Sequence, residues 1–141
     1  MRITYLRETS PTSRTCPTLY ATDRQTFIVQ GKRIADAAIP SAFSLGAGEN
    51  LVEVPARLLE EIAEDAAFPT PGAEGTTLAL IRAIPRGTSS PSVSATSRST
   101  FVVRGITVTD PEALAAMDIP DDETAVEVPR ELLPGIRADA A

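Results

Sequence analysis

Thr22-x-Arg24-x-Thr26 sets a guanidinium between two hydroxyls, and Thr96-x-Arg98-x-Thr100 does so again. Val52-Glu53-Val54-Pro55 and Val126-Glu127-Val128-Pro129 likewise set a carboxylate at the same point of a repeated string. A guanidinium on a turn can grip a carboxylate or a phosphate through two parallel N–H donors. Arg24, Arg98, Glu53 and Glu127 are therefore the candidate interaction residues. The structural alternative pairs them inside each copy, Arg24 with Glu53 and Arg98 with Glu127, or points each glutamate outward from an alternating strand.

Nothing in the chain assembles into a catalytic set. The 141 residues include no His and a single Cys, Cys16. That removes the commonest general base, the commonest zinc ligand and any Ser-His or Cys-His pair. It also removes an intrachain disulfide and a thiolate zinc site. Cys16 is replaced by Ser90 in the second copy, so the repeated architecture does not need a thiol. Lys32 is the only Lys, and no Ser-x-x-Lys string precedes it. Asp118, Asp121, Asp122 and Glu123 lack the Gly spacing and terminal glutamate of a calcium loop, so they read as a solvated turn. Gly46-Ala-Gly48 is too short for a dinucleotide fingerprint, and there is no phosphate-binding loop. The expectation is a protein that is no enzyme, with no catalytic residue, cofactor or metal.

Charge narrows the partners. Thirteen basic against nineteen acidic residues leave a net charge of −6. Such a chain repels a phosphate backbone unless a local basic patch overrides the field, and it disfavours an anionic membrane surface. Arg2, Arg7 and Glu8 interrupt the start, so no signal-peptide core is expected there. No apolar run approaches the roughly 18 residues of a membrane span. Cytoplasm is the expected compartment.

These residues are positioned by a duplication. Positions 1–67 align with 75–141 at an offset of 74 without a gap, with 23 identities in 67 positions. The Pro- and Gly-bearing stretch 68–74 joins the units. A unit of this size is marginal as a lone core, so two are expected to share a face across a pseudo-two-fold axis, as a dimer does. Two independent beads on a linker are the competing arrangement.

Each unit reads as β-β-β-α-β-α, so the expected fold class is α+β: two tandem repeats packed as a single-chain pseudo-dimer. Ile3–Arg7 and Thr77–Ile84 are the first strands, with Leu6 matched to Leu80. Thr18–Thr22 and Thr26–Val29 form a hairpin around Asp23-Arg24-Gln25. Gly31 and Gly105 then end the second strand, as a bulge or a positive-φ turn. Ser92–Thr96 occupies the register of Thr18–Thr22 and reads as a surface edge strand. Asp110-Pro111-Glu112 is a helix start; its first-copy partner, Asp36–Phe43, is weakened by Pro40. Leu51–Val54 and Ala125–Val128 are strands, and Pro55 and Pro129 open a last helix. That helix runs Ala56–Ala67 in the first copy and is cut short by Pro134-Gly135 in the second. Phe27 and Phe101, equivalent residues in a chain with four Phe, are expected to be buried.

The string from Cys16 to Gly31, with its Val-Glu-Val-Pro-x-x-Leu-Leu close, resembles the short acidic proteins of unknown function of GC-rich filamentous soil bacteria. Those proteins are usually one unit long and are often encoded beside helix-turn-helix regulators. The resemblance covers 16–62 and again 90–136. It implies a non-catalytic protein-interaction module, an accessory to a transcriptional regulator or an antitoxin-like system, with a protein partner. A second likeness is to the swapped-hairpin DNA-binding domains of transition-state regulators and antitoxins, which dimerise. That alternative would bind DNA through Arg24, Lys32, Arg33, Arg98 and Arg104. It needs basic strands, whereas the units sum to −2 (seven basic, nine acidic) and −3 (six basic, nine acidic), with Glu74 completing −6. An enzyme lacking His is the further alternative.

Overall fold

Among the described residues eight strands dominate the fold, and each copy contributes four. A computed structural model describes residues 1–8, 17–34, 48–64, 66–70, 77–84 and 91–136. The first copy supplies β1 (Ile3–Glu8), β2 (Thr18–Thr22), β3 (Thr26–Arg33) and β4 (Glu49–Pro55). The second supplies β5 (Leu78–Ala83), β6 (Ser92–Thr96), β7 (Thr100–Thr107) and β8 (Glu123–Pro129). With α1 (Glu60–Ala63) and α2 (Pro111–Ala116) this is a mixed α+β fold, mostly antiparallel sheet with few helices. The helix expected at Asp36–Phe43, Cys16 and Ser90 lie outside the described residues.

The last strand of each copy lies along the other copy. β4 pairs β7 antiparallel from Glu49↔Ile106 to Pro55↔Thr100. β8 pairs β3 from Thr26↔Pro129 to Lys32↔Glu123, which is the same register shifted by 74. Within a copy, β3 meets β4 only at Lys32↔Glu53 and Arg33↔Val52, and β7 meets β8 only at the equivalent Ile106↔Glu127 and Thr107↔Val126. The four strands thus close into a ring, and the hairpin partners β2 and β6 extend it to the outer strands β1 and β5.

Alternation builds the core inside this ring. Phe27 and Val29, Val52 and Val54, Phe101 and Val103, Val126 and Val128 point to one shared cluster with Leu19, Val93 and the leucine pairs. The intervening residues face the other way. On one side Tyr20, Ile28 and Ala125 are covered by Ala113 and Met117 of the α2 region. Asp110 caps α2 as expected, accepting from the Ala113 N–H at 3.0 Å, with Pro111 in the first turn.

Four expectations are corrected. First, Ser92–Thr96 is no surface edge. It lies between β5 and β7 and is buried along its whole length, because a strand paired on both sides has a neighbour at each edge and its small side chains offer little surface to water. Second, Gly31 and Gly105 do not end strands and have no positive φ. They sit inside β3 and β7, where a Cβ would meet the backbone oxygens of Glu53 at 2.8 Å and of Glu127 at 2.6 Å. Third, the last helix of the first copy is a 3-10 turn, Ala56–Leu59, followed by the single α turn of α1. Leu59 leaves helical geometry (φ −121°, ψ 56°), which lets the adjacent Leu58 and Leu59 both face inward. An unbroken α-helix would turn them about 100° apart. Leu132 and Leu133 repeat the device after Pro129. Fourth, the first strands match at an offset of 75, not 74. Ile3↔Thr22 in one hairpin corresponds to Leu78↔Thr96 in the other, and both hairpins shift register at the following bulge. Leu6 therefore corresponds to Ile81, and both pack on the core, whereas Leu80 corresponds to the exposed Tyr5.

Candidate functional site

Each hairpin tip forms a polar clamp on the other copy. Gln25 and Ser99 take positive φ (64° and 59°) and close the β2–β3 and β6–β7 turns. In the first turn the Arg24 N–H donates to Thr22 Oγ1 at 3.1 Å, and Thr22 and Thr26 share a 2.6 Å hydroxyl contact. Thr26 Oγ1 then donates to Glu127 Oε2 at 2.6 Å while the Arg24 guanidinium reaches Glu127 Oε1 at 3.0 Å. The second turn repeats the set on Glu53, with Thr100 at 2.5 Å and Arg98 at 2.8 Å. The expected pairs Arg24–Glu53 and Arg98–Glu127 are thus replaced by Arg24–Glu127 and Arg98–Glu53. The exchange follows from β8 lying on β3, and β4 on β7. Both guanidiniums are about half exposed, so the ion pair itself contributes up to about 1 kcal/mol.

A groove borders each clamp. The first encloses about 400 Å³ beside Pro17, Lys32, Pro55, Arg57 and Arg98. The second encloses about 410 Å³ beside Met1, Arg24, Ile106, Asp110 and Pro111. Here the Met1 amino group lies 2.7 Å from Glu112 and 3.3 Å from Asp110, and Arg24 lies against Met1 Sδ. The hydrogen bond to Glu112, with help from Asp110, raises the amine's pKa. The Ala113 N–H, with help from the amine, lowers that of Asp110.

Sequence reasoning missed a pair of buried carboxylates. Glu49 and Glu123 are equivalent, and both are buried. Glu49 meets Arg104 at 2.8 Å. Where Arg104 stands in the second copy, the first has Gln30, whose amide donates to Glu123 Oε1 at 2.8 Å and to the Asp118 carbonyl at 2.9 Å. Glu123 Oε2 has no hydrogen-bond partner among the described residues. The solvated-turn reading of the acidic cluster therefore fails for Glu123, although Asp118, Asp121 and Asp122 are exposed. Gln30 against Arg104 was the available signal: the carboxylate is kept while its cation is not.

Burial raises the Glu123 pKa above the ordinary 4.5, against the opposing hydrogen bond from Gln30. Between 4.5 and the folded value the native state then holds more protons than the unfolded chain, so stability falls as pH rises through that window. Glu123→Gln keeps the shape and removes the charge. The variant is expected to match the wild type below pH 4.5 and to exceed it at neutral pH. Urea midpoints measured across that range check this; an unchanged difference at all pH values is the contrary result.

Three further cations are engaged as well. Arg7 holds Glu61 in a two-pronged pair at 2.8 Å and pulls its carboxyl below the usual range, Arg82 Nε donates to the Glu131 carbonyl, and Arg33 Nε donates to that of Asp121. Of the five residues of the DNA-binding alternative, Arg24, Arg98 and Arg104 each meet a carboxylate, and Lys32 lies 4.0 Å from Asp122. At the ends of the strand order, β1 pairs only β2 and β5 only β6 among the described residues. Tyr5 on β1 and Leu80 on β5 are 53% and 65% exposed at corresponding places. Among the described residues no group of His, Cys, Asp and Glu could hold a metal ion, and no helix is long and apolar enough to cross a membrane. Comparison with family models, with curated proteins and with solved structures gives no match.

Proposed function

We propose that the protein is a non-catalytic protein-interaction module, an accessory to a helix-turn-helix regulator, built as a fused pair of units that exchange their last strands. The observation that carries this is the pair of corresponding sheet edges. β1 and β5 each pair on one side only among the described residues, and each presents a large exposed apolar side chain, Tyr5 or Leu80. An edge of this kind is a template for a partner strand, whose backbone supplies affinity while side-chain contacts supply specificity. The identical registers of β3 with β8 and β4 with β7 support the fused pair, as does a core drawn from both copies. Three of the five residues that the DNA-binding alternative needs, Arg24, Arg98 and Arg104, are held by carboxylates, which weighs against that alternative.

The test is co-expression with the regulator that the resemblance implies. Wild type is expected to co-purify with it, and Tyr5→Lys combined with Leu80→Lys to lose at least tenfold of the capture while circular dichroism shows the fold kept. A charge on an edge strand opposes strand addition; Tyr5 meets the core residue Tyr20 edge-on, with ring centroids 6.3 Å apart, so Leu80→Lys alone is the variant that leaves the core untouched. Capture unaffected by both substitutions overturns the edge assignment. Tight binding to random duplex that weakens steeply with salt would instead promote DNA binding.

A further inference from the structure

Around the two clamps the copies keep the same Arg, Thr and Glu but differ in their neighbours. Lys32 stands where the second copy has Ile106, and Arg57 stands where it has Glu131. The first groove therefore gathers Lys32, Arg57 and Arg98 around an apolar floor that includes Pro17 and Pro55. Glu53, the one acid lining it among the described residues, is already held by Arg98 and Thr100. Lys32 is 4.0 Å from Asp122 with both side chains more than 60% exposed, a spacing at which water competes. Arg57 has no ion pair among the described residues. A chain of net charge −6 thus concentrates cations in one groove, whereas the corresponding groove holds the Met1 amine and its acidic partners.

We propose that the Lys32–Arg57–Arg98 groove binds the carboxylate of a short acidic peptide segment on a protein partner; this rests on the interaction-module reading above and names the partner's chemistry. The guanidinium of Arg57 and the ammonium of Lys32 meet the carboxylate, and the proline rings receive its apolar neighbours. About 400 Å³ lies at the small end of ligand-sized pockets.

The experiment uses the full chain and a labelled, terminally blocked peptide alternating leucine and glutamate, followed by fluorescence anisotropy and by amide shifts in NMR. The peptide is expected to bind and to shift the amides of Lys32, Arg57 and Thr100. Its glutamine analogue is expected to bind at least tenfold more weakly. Lys32→Ile with Arg57→Glu, the residues that the second copy carries at these exposed positions, is expected to cost at least tenfold with the fold intact. Equal binding of the two peptides, or indifference to the double substitution, overturns the proposal. So does displacement of the peptide by inorganic phosphate at equal or lower concentration, which would mark a phosphate site. Peptide binding is measured without the regulator, so the two readings fail separately. A chain that binds the peptide but captures no regulator overturns only the function proposed above. A chain that captures the regulator but ignores the peptide overturns only the groove.

Discussion

Replacing Phe101 by alanine is expected to lower a single cooperative unfolding transition by about 3–5 kcal/mol, a large part of the stability of a small domain. Phe101 is fully buried, stands opposite Val54 of the other copy and packs its ring 5.3 Å from that of Phe68. The cavity would therefore open in the shared core and not inside one copy. Phe27→Ala opens the equivalent cavity against Val128, and no ring contact of Phe27 corresponds to the one with Phe68 among the described residues. Phe101→Ala is thus the costlier change, by about 0.5–1.5 kcal/mol. Thermal and urea unfolding of both variants, followed by two probes, give the answer. Coincident transitions with midpoints lowered on the order of 10 °C or more are expected. Two separate transitions, with one copy melting alone, would refute the shared core. Near-wild-type stability in both would refute the packing role of the phenylalanines.

Gly105→Ala is expected to be the most damaging single-methyl change in the chain, costing about 3 kcal/mol, the upper end for overpacking. The added Cβ would stand 2.6 Å from the Glu127 carbonyl oxygen and 2.7 Å from Val128 Cγ1. Relief requires β8 to move away from β7, which also disturbs the Glu127 carboxylate held by Arg24 and Thr26. At Gly31 the nearest atom is a side-chain methyl, Val54 Cγ1 at 2.6 Å, and the backbone oxygen stands farther off at 2.8 Å. Gly31→Ala should therefore cost less. Urea midpoints establish the order, and hydrogen exchange along β8 shows where the strain goes. Gly105→Ala as stable as the wild type, or milder than Gly31→Ala, would contradict the close approach.

The two glycines show where local reading stops. A glycine after a β-rich run reads as a strand end, because turn geometry is the commonest reason to need one. Here the reason is a neighbour: the backbone of a strand far away in the chain lies where a Cβ would be. No local pattern contains that fact. The Ser-rich segment 92–96 misleads in the same way, since its polarity points to the surface while β5 and β7 enclose it. The four charged clamp residues are all identified by repetition, but the chain mispairs them. Alternation and β propensity are the same whether β4 lies on its own copy or on the other.

What the sequence determined by itself is the matched strings of the two halves, the order of the strands, the Asp110 cap and the two hairpin turns, and the inward set headed by Phe27 and Phe101. These rest on spacing within a few residues, or on comparing one copy with the other. Tertiary structure decided which copy each last strand joins, the one-residue slip that makes Leu6 correspond to Ile81, and the fate of the two equivalent carboxylates, Glu49 held by Arg104 and Glu123 by the Gln30 amide. Strand partners and burial are settled by surfaces brought together from opposite ends of the chain. Their energies depend on what lies across the interface, and the spacing of residues along one strand carries no record of that.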